Sequence, residues 1–100
     1  MLTDMTPQQA SQKLKTNPAI RLIDVREAEE YKNGHIAGSM NIALNELYRR
    51  TGLPSDKNTE IFVCCQSGTR SARAKEALLQ MGYTRVFNIG SVRNWPLQKG

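Results

Sequence analysis

Residues 61–81 read Ile61-Phe62-Val63-Cys64-Cys65-Gln66-Ser67-Gly68-Thr69-Arg70-Ser71-Ala72-Arg73-Ala74-Lys75-Glu76-Ala77-Leu78-Leu79-Gln80-Met81. Ile61 to Cys64 is an unbroken apolar run, the pattern of a strand buried on both faces. Ser71 to Met81 places Ala74, Ala77, Leu78 and Met81 on one side of a helix, and Gly82 stops it. A polar loop, Cys65 to Arg70, joins the two. A buried strand that passes through a short loop into an amphipathic helix is the first half of a βα unit, the building block of parallel sheets.

The flanking sequence repeats this alternation. Thr6-Pro7 opens a first helix, with Thr as N-cap and Pro at the first helical position, and it runs to about Thr16 before Asn17-Pro18. Ile20 to Val25 is rich in β-formers and reads as a strand. Short elements follow: a helix from Glu27 to Lys32 ended by Asn33-Gly34, a strand over Ser39 to Ile42, and a helix from Leu44 to Arg50. Beyond the central unit, Arg85 to Ile89 is a further strand, and Gly90 to Lys99 is a turn or short helix carrying Trp95. The predicted fold is α/β with three layers, α/β/α, around a small, mostly parallel central sheet. No repeat or linker divides it, so residues 1–100 are expected to form one domain. Ligands of such sheets bind beyond the carboxyl ends of the strands.

Composition narrows the function classes. Hydrophobic residues make up 39% and charged residues 23%, which is ordinary for a folded soluble chain and argues against disorder. No apolar stretch has the length of a membrane span. The start, Met1 to Thr6, has no basic cluster followed by an apolar run, so no secretory signal is read and the cytoplasm is the expected compartment. The net charge of +5 permits anionic partners. The basic residues are dispersed and aromatic residues are few, so nucleic acid is not an expected partner. Arg49-Arg50 and Arg73-Lys75 read as solvated helix faces or as steering charges for small anions. Cys64 and Cys65 are adjacent and can close no loop, and with one His in the chain they do not make a zinc set. No structural metal and no cofactor is expected, and a reactive thiol is the reading left to examine.

Cys65 is the candidate. At the end of a central strand it faces a loop whose successive N–H groups can converge on an anion, ahead of a helix N-terminus. Gly68 allows the backbone angles of such a bowl. A thiol there should lose its proton more readily, helped by Arg70, without a histidine base. Gln66, Ser67, Gly68, Thr69 and Arg70 are the expected substrate-binding cradle. Four residues separate Cys65 from Arg70, one fewer than in the loops of Cys-dependent phosphatases. The tighter bowl suits one added sulfur better than a phosphoryl group. Cys64 should point to the opposite face and belong to the core. Arg70 is open between a substrate-facing charge and a structural ion pair. His35, in a Gly-His-Ile turn, reads as a packing histidine before a general base, and Trp95 as a core lid.

In these residues the chain resembles the single-domain rhodaneses, the thiosulfate sulfurtransferase-like family. The resemblance rests on Leu22 to Arg26 with Glu30-Tyr31 and Gly34 to Ile42, on Cys65 to Ser71, and on Gly82-Tyr83, Val86, Asn88-Ile89-Gly90 and Trp95. It implies a sulfurtransferase that takes sulfane sulfur from thiosulfate or a persulfide donor. The sulfur is held as a persulfide on catalytic Cys65 and passed to cyanide, a thiol or a protein. It also implies that Asp24 and Arg26 support the pocket. Neutral Gln66 and Ser67 stand where strongly thiosulfate-using members carry a cation, which points toward a protein or low-molecular-weight persulfide as the natural donor. The implied partners are a small anionic sulfur donor and a thiol or protein acceptor, with neither membrane nor nucleic acid, and the chain is expected to be a monomer or weak dimer. The alternatives are a non-catalytic protein-binding module of the same fold and Cys-dependent phosphatase or arsenate reductase chemistry.

Overall fold

The computed structural model describes residues 3–100, and Met1 and Leu2, part of the start read above, lie outside the described residues. Helix α1 spans Pro7–Thr16, and strand β1 spans Arg21–Asp24. Next come α2 (Ala28–Lys32), β2 (His35–Ile36), β3 (Met40–Asn41) and α3 (Leu44–Leu47). The second half holds β4 (Glu60–Cys65), α4 (Thr69–Gln80), β5 (Arg85–Ser91), a 3-10 turn at Val92–Asn94 and β6 (Leu97–Gln98). Thr6 caps α1 as expected: its hydroxyl accepts from the Gln9 N–H, and the Gln9 side chain accepts from the Thr6 N–H.

The main sheet has the order β3-β1-β4-β5, and every pairing in it is parallel. Alternation along β4 sends Ile61, Val63 and Cys65 to one face and Phe62 and Cys64 to the other. The first face packs on Ala74, Ala77 and Leu78 of α4 and Leu47 of α3. The second packs on Ala10 and Leu14 of α1, on Val92 and on half-buried Trp95. These are the three layers anticipated from the run of elements.

Several boundaries differ from expectation, four of them near the loop or with a clear physical cause. Strand β4 continues through Cys65, because Cys65 still pairs with Ser91 of β5. Helix α4 begins at Thr69, two residues early, because Gly68 takes a left-handed φ of +92° and turns the chain directly into the helix. Helix α3 stops at Leu47 and winds tighter: Arg49 and Arg50 donate to the carbonyls three residues back, and Arg50 ends the turn at φ +63°. His35-Ile36, read as a turn, pairs antiparallel with Leu97-Gln98 in a separate ribbon, which also draws the C-terminal stretch out of the expected turn or short helix.

The register between β4 and β5 slips once. Val63 pairs with Asn88 but Cys64 pairs with Gly90, so Ile89 is the extra residue of a bulge. Gly90 sits at φ +83° with Thr3 so near that a Cβ would lie 2.7 Å from the Thr3 methyl. The N-terminal segment therefore lies on the edge of β5. The Asp4 N–H donates to the Asn88 carbonyl, and the Asp4 carboxylate accepts from the Asn88 N–H and from Lys75.

Candidate active site

Cys65 ends the strand and Gly68 caps the following helix, so three residues suffice to fold the chain back over the sulfur. The Gly68 N–H donates to Cys65 Sγ at 2.9 Å. Helix α4 leaves its first N–H groups without intrahelical acceptors. One of them, on Ser71, reaches Cys65 Sγ at 3.4 Å. The partial positive end of α4 is therefore applied to the sulfur through an actual donor as well as through its dipole. Among the described residues, no hydrogen bond to Sγ comes from the amides of Gln66, Ser67, Thr69 or Arg70. Ser71, just beyond the expected cradle, supplies one of the two amide contacts.

Cys65 has no exposed surface. Two of the larger cavities, of about 410 Å³ beside β3 and about 350 Å³ between α1 and the C-terminal segment, are not lined by any residue of 65–71. Ser67 and Thr69 are the exposed members of the loop. A solute can reach the sulfur only if this loop, or the side chains at its rim, yields.

Behind the sulfur lies a polar network inside the core. Ser71 Oγ sits 3.3 Å from Cys65 Sγ, 3.1 Å from the Gly68 carbonyl and 2.8 Å from Asn88 Oδ1. Asn88 Oδ1 also accepts from the Gly90 N–H at 2.9 Å, which the β5 bulge turns inward. That contact identifies the atom facing Ser71 as the amide oxygen. The single Ser71 proton thus has three acceptors to choose among. On the other flank, the Ser91 hydroxyl donates to the Gln66 carbonyl at 2.6 Å. The bulge in β5 therefore braces both ends of the loop.

Two arginine–carboxylate pairs complete the site. Asp24 and Arg26 are buried, and the guanidinium meets the carboxylate at 2.8 Å. Arg26 also donates to the Gly34 carbonyl at 2.6 Å and to Gln66 Oε1 at 3.4 Å, so it ties the end of β1 to the loop. Arg70, the residue left open above, is in an ion pair: its two terminal nitrogens lie 2.6 and 2.9 Å from the two oxygens of Glu30. That contact, more than any other, holds the Glu30 carboxyl well below its usual range, at about 2.

Cys64 lies on the opposite face, its thiol against the Ile23 carbonyl, and burial pushes its ionisation well up. It is core, as read from the sequence. His35 is held by its neighbours: Nδ1 is 2.9 Å from the Tyr31 carbonyl and the ring stacks on Tyr31. No cluster of metal-ligating side chains occurs among the described residues.

Sequence reasoning gave no role to Glu30, Ser71, Asn88 or Ser91. Asn88 carried a readable signal, a polar amide inside the apolar run Val86 to Ile89, since a buried amide must find partners. Glu30 entered only as one of the residues of the resemblance, and its pairing was not legible because its partner is 40 positions away.

A strand-end cysteine with loop amides directed at it can be set beside known proteins. The rhodanese-like domain model matches residues 6–97. The chain belongs to the rhodanese-like family. Thiosulfate sulfurtransferase PspE of Escherichia coli is 43% identical over 79 residues, which cover 77% of this rhodanese-like chain and 75% of PspE. The putative sulfur carrier protein YrkF of Bacillus subtilis is 35% identical over 84% of the chain, which spans 45% of YrkF. Among solved structures, an E. coli rhodanese with anions superposes with a TM-score of 0.75 at 43% identity, covering 82% of this chain and all of that one. The human single-domain sulfurtransferase TSTD1 superposes at 0.81 with 27% identity, covering 91% and 92% of the two chains. The enzyme class of this rhodanese-like chain is sulfurtransferase. The described residues include no helix long and apolar enough to cross a membrane.

Proposed function

We propose that the chain moves sulfane sulfur from thiosulfate or a persulfide donor to a thiophilic acceptor through a persulfide on Cys65. The observation that supports this most is the pair of N–H groups, from Gly68 and Ser71, aimed at a sulfur that ends the central strand. With thiosulfate, the Cys65 thiolate attacks the outer sulfur, the S–S bond breaks, and sulfite leaves with its electron pair. The outer sulfur of the resulting persulfide carries the negative charge, and preorganised N–H donors stabilise such charge without reorganising. Cyanide, a thiolate or a protein thiolate then attacks that outer sulfur, and the Cys65 thiolate departs.

In this reading Gln66 to Arg70 form the donor-binding loop, and Asp24 with Arg26 fixes it from below through Gln66. Because Cys65 is buried, each half-reaction includes an opening of the loop at exposed Ser67 and Thr69. Such loop motions belong to the microsecond-to-millisecond range and often limit turnover. A reducing cytoplasm, which keeps both cysteines as free thiols, is the compartment this reading assigns.

Intact-mass measurement after incubation with thiosulfate, or with a low-molecular-weight persulfide, tests the proposal. One added sulfur is expected, lost on cyanide treatment and absent in Cys65→Ser. No adduct from either donor overturns it.

A further inference from the structure

We propose that Glu30 sets the donor specificity of this site, by neutralising Arg70 and so withholding from dianionic donors the one cation of the loop. The inference rests on the persulfide reading of Cys65 and adds to it a substrate class: donors of low charge, such as alkyl or protein persulfides, ahead of thiosulfate.

The loop from Cys65 to Arg70 contains a single charged residue, Arg70. An anionic donor whose outer sulfur approaches Cys65 must place its charged end at the rim of the loop, where a free guanidinium would meet it with two parallel N–H donors. Glu30 occupies the edge of Arg70 formed by its two terminal nitrogens, at 2.6 and 2.9 Å. Nor is Glu30 a loosely held surface group. Its Oε1 also accepts from the Glu27 N–H at 3.0 Å, so the first turn of α2 holds the carboxylate in place. The other guanidinium beside the loop, on Arg26, is paired with Asp24 and buried. Each pair sums to zero charge, so the loop itself offers amides and no uncompensated cation. The side chains of Glu30 and Arg70 are each about a third exposed, 34% and 33%, where an ion pair contributes little to stability. Stability alone is a weak reason for holding the pair so closely. Thiosulfate, with two negative charges, would meet at Arg70 a charge already balanced by Glu30, while a donor of lower charge loses little by leaving the pair intact.

The test is a charge series at this pair: native protein (pair charge zero), Glu30→Gln (plus one), Arg70→Gln (minus one) and the double variant (zero again). Persulfide formation is followed with thiosulfate and with 2-hydroxyethyl hydropersulfide. In parallel, Cys65 is alkylated with iodoacetate and with uncharged iodoacetamide, reagents of similar chemistry and different charge. Glu30→Gln is expected to lower the KM for thiosulfate roughly 3–10-fold, with the change falling on KM more than on kcat, and added salt shrinks the effect. The hydropersulfide responds less. The iodoacetate-to-iodoacetamide rate ratio rises in Glu30→Gln, falls in Arg70→Gln, and returns to the native value in the double variant. Glu30→Asp, which keeps the charge, retains the native ratio and controls for misfolding. A thiosulfate KM and an alkylation ratio that ignore the series, or a double variant that does not return to native, overturn the inference and leave the persulfide reading standing. An alkylation ratio that follows the series while neither donor adds sulfur to the native protein overturns the persulfide reading, and the donor assignment with it.

Discussion

The two arginine–carboxylate pairs beside Cys65 use the same chemistry in opposite settings. Asp24 and Arg26 are two residues apart and buried, and Arg26 donates onward to the Gly34 carbonyl and the Gln66 side chain. Glu30 and Arg70 are 40 residues apart and half-buried, and the acid also receives the Glu27 N–H. Burial decides what each pair is for. A buried pair cannot lose one member without stranding the other in low dielectric, so it acts as a fixture. A pair at the rim is screened by water, is worth little to stability, and can be exchanged for contact with a ligand.

The contrast is most exposed to failure at the buried pair. Arg26→Met leaves the Asp24 carboxylate buried and unpaired, and should cost about 3–5 kcal/mol in urea-induced unfolding. A loss under about 1 kcal/mol would make the two pairs equivalent and break the comparison. Asn88→Ala is an uncharged control for burial itself. It strips the acceptor from the Gly90 N–H and from Ser71, and is expected to cost about 1–3 kcal/mol and to slow sulfur uptake by Cys65. Unchanged uptake kinetics would show that this network holds the fold without holding the sulfur. Glu30→Gln should cost under about 1 kcal/mol in the same unfolding assay while shifting donor preference, the reverse of the Arg26→Met result. The smallest effect is on pH. The Glu30 carboxyl is lowered from 4.5 to about 2, so its contribution is fully present above the unfolded value and is lost as pH falls through that interval. Acid unfolding curves of native protein and Glu30→Gln should therefore converge between about pH 4.5 and 2. Curves that stay parallel over that range would mean the rim pair adds nothing.

Much of this molecule is local in its coding. The apolar run at Ile61 to Cys64 announces the central strand because both its faces are covered, and Gly68 with the apolar side of Ser71 to Met81 announces the turn and helix. Adjacent Cys64 and Cys65 could be sent to opposite faces from strand geometry alone. The parts that escaped were encoded in pairs of distant residues. His35-Ile36 and Leu97-Gln98 are strands only because they meet, and two residues are too few to display a period. The β5 bulge that turns the Gly90 N–H toward Asn88 depends on the register with β4, which no single stretch reveals. The full burial of Cys65 also went unread, since it arises from helix α4 starting two residues early and pulling the loop tightly over the sulfur.

Asp4 has one further consequence. Open strand edges invite other chains to add on and grow fibrils. At residue 88, this single side chain and its own N–H engage both the donor and the acceptor that β5 would offer a newcomer. The opposite margin, β3, is only two residues long, and Asn41 there directs its amide inward to the carbonyls of Asp24 and Arg26. Neither border leaves a long template, so a small parallel sheet with a sticky middle is guarded against self-templated aggregation at both rims.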